Sequence, residues 1–179
     1  MCSSDLAPAS GSGTVEPTGS IATGADGSAA VTSWTLGQLA GPNFLTATAP
    51  AIGVSGNQVT FTATGTPATA SQLVFTTQPS DVVVGNQIQP PVVVTARDQF
   101  GNTATAFTGD VSIAIDHDAS GLLGPATLGG TLTVAAQSGV ASFGNLTIDK
   151  TGIGYTLAVS AIGVSGATSD GFTVLPLTP

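Results

Sequence analysis

The chain has 179 residues, of which 41% are hydrophobic and 7% are charged, and its formal net charge is −8. It has only two cationic residues, Arg97 and Lys150, and ten acidic ones, which excludes nucleic acid or an anionic membrane surface as its main partner. The mean hydropathy of +0.40 argues against full disorder, and the scarcity of Glu, Lys, Arg and Met disfavours a long helical bundle.

The first six residues differ from the rest of the chain. The run Cys-Ser-Ser-Asp-Leu is typical of a translated sequencing adapter, so residues 1–6 are predicted to be such a scar and to be disordered. The alternatives are a lipoprotein-like end or a simply disordered one. Cys2 is the only cysteine, so neither an internal disulfide nor a cysteine metal cluster can form, which suits an extracellular bacterial protein.

An internal repeat organises the chain. The hexapeptide Ala51-Ile52-Gly53-Val54-Ser55-Gly56 recurs at residues 161–166, and Val31-Thr32-Ser33-Trp34 aligns with Val140-Ala141-Ser142-Phe143. The offsets predict a repeat unit of about 110 residues. On this basis residues 7–69 are the second part of a truncated copy, residues 70–176 are a complete copy, and residues 177–179 begin the next linker.

Alternating apolar residues predict half-buried antiparallel strands. In chain order these are Leu73 and Phe75, then Val111, Ile113 and Ile115, then Leu132 and Val134, then Tyr155, Leu157 and Val159. The run Val92-Val93-Val94 predicts a central strand, and turns are predicted at 99–102, 129–130, 138–139, 151–152 and 165–166. About seven short strands per unit predict an all-β, immunoglobulin-like antiparallel β-sandwich. We expect its core to contain Leu73, Phe75, Val94, Ile113, Phe143, Leu157 and Phe172.

Three segments of the complete copy resemble bacterial immunoglobulin-like repeats of the invasin and intimin type. They are Ser71 to Ser80, Val94 to Asn102 with its Asp-Gln-Phe-Gly-Asn turn, and Gly139 to Phe143 followed by Leu146. In the truncated copy, Trp34 to Gly37 and Ala40 to Ala47 resemble the closing strands of the same unit. The resemblance implies a tandem sandwich from a large secreted or surface-attached adhesin-like protein, in which such repeats act as spacers. It implies no catalytic residues and no cofactor, and its expected partners are neighbouring repeats, with any host protein or glycan bound by other domains.

The residues with chemical potential are few. His117 is the only histidine and follows a strand, and since no Gly-x-Ser-x-Gly elbow occurs we expect a solvated turn rather than a catalytic triad. Asp116 and Asp118 beside it are weak candidates for calcium, with turn formation as the alternative. Asp98 is expected to form an exposed turn, either paired with Arg97 or accepting backbone N–H groups. Lys150 is expected to be solvated rather than the buried lysine of an isopeptide crosslink.

Three aromatic residues raise the possibility of carbohydrate stacking. Trp34 aligns with Phe143 and Tyr155 aligns with Leu45, which favours core positions for both, whereas Phe44 aligns with Gly154 and is the candidate for exposure. The leading prediction is therefore a non-catalytic spacer repeat. The alternatives are a carbohydrate- or protein-binding module that uses loops at one end of the sandwich, and an accessory domain of a secreted hydrolase.

Overall fold

A computed structural model describes residues 3–49 and 57–177. The chain divides into two compact units, unit 1 up to Thr66 and unit 2 from Pro67 onward. The boundary lies three residues before the one predicted at 69/70. The described residues are all-β, with one short 3₁₀ turn at Gly121–Leu123. This agrees with the high content of Thr, Val and Gly, which favours strands and turns over helices.

Unit 1 contains a four-stranded sheet in the order β3-β1-β5-β6 and a two-stranded ribbon of β2 and β4. The strands are β1 (Ser3–Pro8), β2 (Thr14–Glu16), β3 (Ser20–Ala22), β4 (Ser33–Thr35), β5 (Gly41–Ala49) and β6 (Asn57–Gly65). Among the described residues of this unit, Val15 and Leu45 are the fully buried hydrophobic side chains. The core of unit 1 is therefore small.

Residues 3–6 are not disordered, contrary to the sequence prediction. They lie in β1, which pairs antiparallel with both β3 and β5. Leu6 lies opposite Ala47 and is half-buried, so backbone pairing on both sides and a partly apolar setting hold this segment in place. The pairing says nothing about the origin of these residues, and the adapter interpretation stays a prediction.

Unit 2 is a two-layer β-sandwich. One layer has the order β7-β9-β13, and the other has the order β12-β10-β15 with β16 and β17 along the far side of β15. The strands are β7 (Gln72–Thr77), β8 (Val82–Val83), β9 (Val92–Arg97), β10 (Asp110–His117), β11 (Leu128–Gly129), β12 (Thr133–Ala135), β13 (Val140–Phe143), β14 (Thr147–Ile148), β15 (Gly152–Ala161), β16 (Val164–Thr168) and β17 (Phe172–Leu175). The first segment of the unit crosses between layers, because β7 touches β16 and β8 pairs with β17, both in parallel.

The core of unit 2 lies between these layers. All seven predicted core residues are buried in one continuous cluster, with at most 8% of each side chain exposed. The alternation along β10 and β15 is confirmed, and β9 is central in its layer, between β7 and β13. Leu132, however, precedes β12 and is partly exposed, so the strand there is shorter than the alternation predicted.

The predicted turns are confirmed only in part. The turn at Ser138–Gly139 is confirmed, whereas Gly129 ends β11 and Gly152 begins β15. Residues 165–166 lie inside β16. The hairpin between β15 and β16 turns instead at Ile162–Gly163, where Gly163 has a φ of 74°. Gly166 is required for a different reason, because a Cβ at that position would lie 2.4 Å from the carbonyl oxygen of Val159.

Corresponding positions of the sequence repeat are paired alike in the two units. The first copy of the hexapeptide, residues 51–56, lies outside the described residues, but the strands on either side of it are described. The pairs are Leu45↔Phe61, Thr48↔Gln58 and Ala49↔Asn57 in unit 1, and Tyr155↔Phe172, Ala158↔Thr168 and Val159↔Ala167 in unit 2. Each of these three pairs of unit 1 therefore has a counterpart in unit 2 at an offset of 110 or 111 residues.

Candidate functional site

The turn at Asp98 is a buried hydrogen-bonding centre. Asp98 is fully buried, and its carboxylate accepts hydrogen bonds from the backbone N–H groups of Ala68, Phe100 and Asn102 and from the Asn102 side chain, each at 2.9 Å. Burial alone would raise the pKa of Asp98, but the four hydrogen bonds outweigh it and hold the pKa below its ordinary value. The arrangement ties the entry of unit 2 to the end of β9, which is a structural role.

The prediction for Asp98 was right about backbone hydrogen bonding and wrong about exposure. Ala68, thirty residues earlier in the chain, donates one of the hydrogen bonds to the buried carboxylate. Arg97 directs its guanidinium to the carbonyl oxygen of Gly101, at 2.9 Å. Together these contacts fix both ends of the turn.

His117 lies at the end of β10 and is exposed, as expected. Its backbone N–H donates to the hydroxyl of Thr156, at 3.1 Å. The neighbouring acidic residues hold the local backbone: Asp116 accepts a hydrogen bond from Thr156, and Asp118 accepts the N–H groups of Ser120 and Ala126. The hydrogen bonds from Ser120 and Ala126 lower the pKa of Asp118.

Asp116 and Asp118 were the calcium candidates. Both carboxylates take hydrogen bonds from the protein, and within residues 3–49 and 57–177 no group of three or more His, Cys, Asp or Glu side chains could hold a metal ion. Calcium prefers six to eight oxygen ligands. The geometry of this segment therefore fits turn formation.

A hydrogen bond joins the side chain of Tyr155, on β15, to the backbone of Lys150, just before that strand. Lys150 is half-buried rather than fully solvated, and its carbonyl oxygen accepts the hydroxyl of Tyr155 at 3.1 Å. Tyr155 is fully buried, with its ring centroid 6.0 Å from that of Phe172. Burial raises the pKa of Tyr155, with a further contribution from the negative charge of Asp118. The core position predicted for Tyr155 is confirmed.

The three aromatic side chains singled out from the sequence are exposed to different extents. Trp34 is half-buried, so the core position predicted for it is not confirmed, and its indole N–H donates to the carbonyl oxygen of Ser12 at 2.9 Å. Phe44 is 40% exposed, which confirms the prediction for that position. Since Tyr155 is in the core of the other unit, Phe44 is the one exposed ring of the three.

Sequence reasoning did not single out the end of unit 2 around Phe107 and Ile162. Two depressions with cavity volumes of about 270 and 490 Å³ adjoin there and share these two residues. The smaller is lined mainly by alanines and Val164, and the larger also by Asp110, Ser112, Thr133 and Ser160. Ile162 is almost completely exposed at the hairpin tip. The sequence contains one signal for this surface. Ile162 is a large apolar residue directly before the turn glycine Gly163, a position where few neighbouring residues can pack against it.

Comparison with known proteins places the chain in no family. No family model matches it, and no curated protein matches it. Among solved structures it is similar to a glycosyl hydrolase family 2 member from Bacteroides cellulosilyticus, at a TM-score of 0.44 and 13% identity over 98% of this chain and 22% of the other. It is also similar to Bacteroides uniformis beta-glucuronidase 3, at 0.41 and 17% over 94% and 20%. A third similarity is to a beta-glucuronidase from glycoside hydrolase family 2, at 0.45 and 15% over 99% and 18%.

The chain thus spans about a fifth of the length of these structures. With TM-scores below 0.5, the similarities carry no conclusion about the activity of this chain. In the part of the chain that the structure describes, no helix is long and apolar enough to cross a membrane.

Proposed function

We propose that this chain contains one partial and one complete immunoglobulin-like tandem repeat, which act as non-catalytic spacers in a bacterial surface or secreted adhesin-like protein of the invasin and intimin type. The observation that supports this most strongly is the matched strand register of the repeat, because serial modules of one design give length without requiring a site in each module. The sequence resemblance points the same way.

The charges are consistent with a spacer. The carboxylates of two turns of unit 2, Asp98 and Asp118, bind backbone N–H groups of their own unit. The net charge of −8 on a surface with only two cations makes neighbouring arrays repel one another and keeps them soluble.

Scattering on a longer array tests the proposal. A protein of three successive copies of residues 67–177 should give an elongated small-angle scattering profile whose maximum dimension grows by about 40 Å per copy. Pro67→Gly in each joint is the matched variant, since it frees the backbone at the linker and should broaden the distance distribution. A compact, near-spherical profile would contradict the spacer function.

The second candidate function is a binding module, and the depressions around Phe107 and Ile162 are the observation that favours it. The larger depression combines hydroxyl groups, one carboxylate and apolar walls, and its volume falls within the range of roughly 300–1,000 Å³ of small-molecule sites. Saturable binding to a glycan panel that is lost in Ser160→Tyr, which fills the depression, would support it. Ser142→Tyr, at an exposed position on β13, is the control.

A further inference from the structure

One face of the unit 1 sheet is apolar and incompletely covered. Residues paired directly across antiparallel strands share a face, so Leu6, Leu45, Ala47, Val59 and Phe61 lie on the same side of the sheet. Leu45 is buried, but Val59 is 53% exposed and Phe61 is 49% exposed. Both exposed residues lie on β6, which is the edge strand and pairs with β5 alone among the described strands.

The counterpart of Phe61 in unit 2 is buried. Phe61 corresponds to Phe172 at an offset of 111 residues, and Phe172 is only 3% exposed. The same position of the repeat is therefore open in one unit and closed in the other.

Residues 71–84 close the corresponding edge of unit 2. They run parallel to β16 and β17, with Val82 opposite Val174 and Gln72 opposite Ser165. Hydrogen bonds along this edge are Ser165 N–H to Ser71 O, Asp170 N–H to Gln78 Oε1, Thr173 N–H to Asp81 Oδ1 and Val84 N–H to Leu175 O. With β9, this segment also supplies the opposite layer of the sandwich.

Unit 1 has counterparts for β10 and β12, the strands that extend the layer on the other side of β15. β1 is paired with β5 as β10 is with β15, and β3 is paired with β1 as β12 is with β10. Leu6 corresponds to Ile115, because Leu6 lies opposite Ala47 and Ile115 lies opposite Leu157, the residue 110 positions after Ala47. Among the described residues of unit 1, no strand takes the place of β7, β8 or β9.

We propose that the free edge of β6 and its apolar face form a docking site for a β-hairpin with the chemistry of residues 72–97. The hairpin's first segment would run parallel to β6, with a Val-Val pair beside Ala63 and Thr64, the positions that correspond to Val174 and Leu175. Its apolar face would cover Val59 and Phe61. Backbone pairing at a sheet edge provides the affinity and alternate side chains the selectivity, as in other strand-addition complexes.

The charges predict how this contact responds to salt. β6 carries no charged residue, and residues 72–97 carry one Asp and one Arg. Recognition therefore depends on backbone hydrogen bonds and apolar burial, and the affinity is insensitive to ionic strength. This separates the proposed partner from a basic peptide drawn by the net negative charge.

A labelled synthetic peptide of residues 71–97, added to the intact chain, tests the site. We expect saturable binding by fluorescence anisotropy and slower amide hydrogen exchange in β6, without change in β17. Phe61→Ser should weaken binding by about tenfold to a hundredfold, whereas Thr62→Ser, on the other face of β6, should leave it unchanged. A control peptide with Ser at Leu73, Phe75, Val92 and Val94 should not bind.

A covalent version keeps the proposal testable if the peptide aggregates. In this version, residues 70–111 are fused to the chain directly before Ser3. The fusion should raise the denaturant concentration at which half of unit 1 is unfolded, and the fluorescence of Trp34, the single tryptophan, reports that transition. No binding together with an unchanged midpoint would overturn the proposal. Self-association of the free chain that is abolished by Phe61→Ser would also overturn it, because a second copy would then be the occupant. The inference uses the repeat on which the spacer proposal rests, but the scattering test involves unit 2 alone, so the two can fail separately.

Discussion

Phe172 and Phe61 occupy corresponding positions of the predicted repeat, and their replacement by Ala should have unequal costs in stability. Phe172 is enclosed between the layers, so Phe172→Ala removes a buried ring and leaves a cavity, at a cost of about 3–5 kcal/mol. Phe61 is half in solvent already, and no closed cavity can form on an open face. Phe61→Ala should therefore cost only about 1 kcal/mol in the free energy of unfolding of unit 1.

The two aromatic reporters allow the costs to be measured separately by urea unfolding. Trp34 lies in unit 1, and Tyr155, the single tyrosine, lies beside Phe172 in unit 2. Trp34 fluorescence reports the unfolding of unit 1 in Phe61→Ala. Tyr155 fluorescence reports the unfolding of unit 2 in Phe172→Ala, measured in a Trp34→Phe background so that tryptophan emission does not mask it. Thr62→Ala is the surface control and should change stability by less than about 0.5 kcal/mol. Equal costs at Phe61 and Phe172 would refute the reasoning, because the β6 face would then be covered in solution.

Four further outcomes are expected. Phe143→Ala should destabilise unit 2 by about 3–5 kcal/mol in urea, and Ser142→Ala, its exposed neighbour, should have almost no effect. The pKa of Asp98 is lowered in the folded state, so its contribution to stability is present above about pH 4 and is lost as the pH falls through the folded-state pKa. Asp98→Asn should therefore lower Tm at neutral pH and reduce the loss of Tm at acid pH. The raised pKa of Tyr155 favours the neutral phenol, so stability is lost as the pH rises above about 10. Tyr155→Phe should remove this alkaline loss. At pH 7 the same variant should lower the free energy of unfolding by about 0.5–1.5 kcal/mol, because the hydrogen bond to the carbonyl oxygen of Lys150 is missing. Limited proteolysis should digest unit 1 first and leave a core that begins near Ala70, because unit 1 buries few apolar side chains.

Each of these has an outcome that contradicts it. A loss below about 1 kcal/mol for Phe143→Ala would mean that its side chain is not enclosed. If Tm falls at acid pH in Asp98→Asn as it does in the parent protein, other carboxylates cause the acid sensitivity. If stability is still lost above about pH 10 in Tyr155→Phe, groups other than Tyr155 cause the alkaline loss. Equal protease resistance of the two units would show that unit 1 is closed in solution.

The core of unit 2 could be predicted from the sequence because its strands alternate cleanly. Leu73 and Phe75, or Leu157 and Val159, are two residues apart and project to one side, so period two alone identifies the buried face. The cross-strand pairs confirm that this face is shared along each ladder. No knowledge of the partner strand was needed to choose these residues.

Glycine was harder to interpret. Gly163 and Gly166 lie three residues apart in similar sequence, and each is a plausible turn residue. Only the structure shows that Gly163 supplies a positive φ, whereas Gly166 makes room for the backbone of Val159 in the neighbouring strand. The second role depends on a contact across the sheet, which local sequence does not encode.

The burial of Asp98 and the order of residues 3–6 were missed for the same reason. The Asp98 turn is local, but one of the N–H groups bound to its carboxylate belongs to Ala68, thirty positions earlier. Residues 3–6 lack a strand-like pattern of their own and become a strand because β5 and β3 offer backbone on both sides. Tertiary contacts decide both cases.

The parallel pairing of β8 with β17 has a mechanical consequence. The chain enters unit 2 ahead of β8 and leaves after β17, so a pull on the two ends drags these strands in opposite directions along their own axes. Parallel strands loaded in this way slide past each other, and their bonds, including Val84 N–H to Leu175 O and Thr173 N–H to Asp81, bear the force together. An antiparallel hairpin pulled from its open end would instead unzip one bond at a time. Tension along the chain therefore meets unit 2 in shear, the direction in which a short ladder of hydrogen bonds resists best.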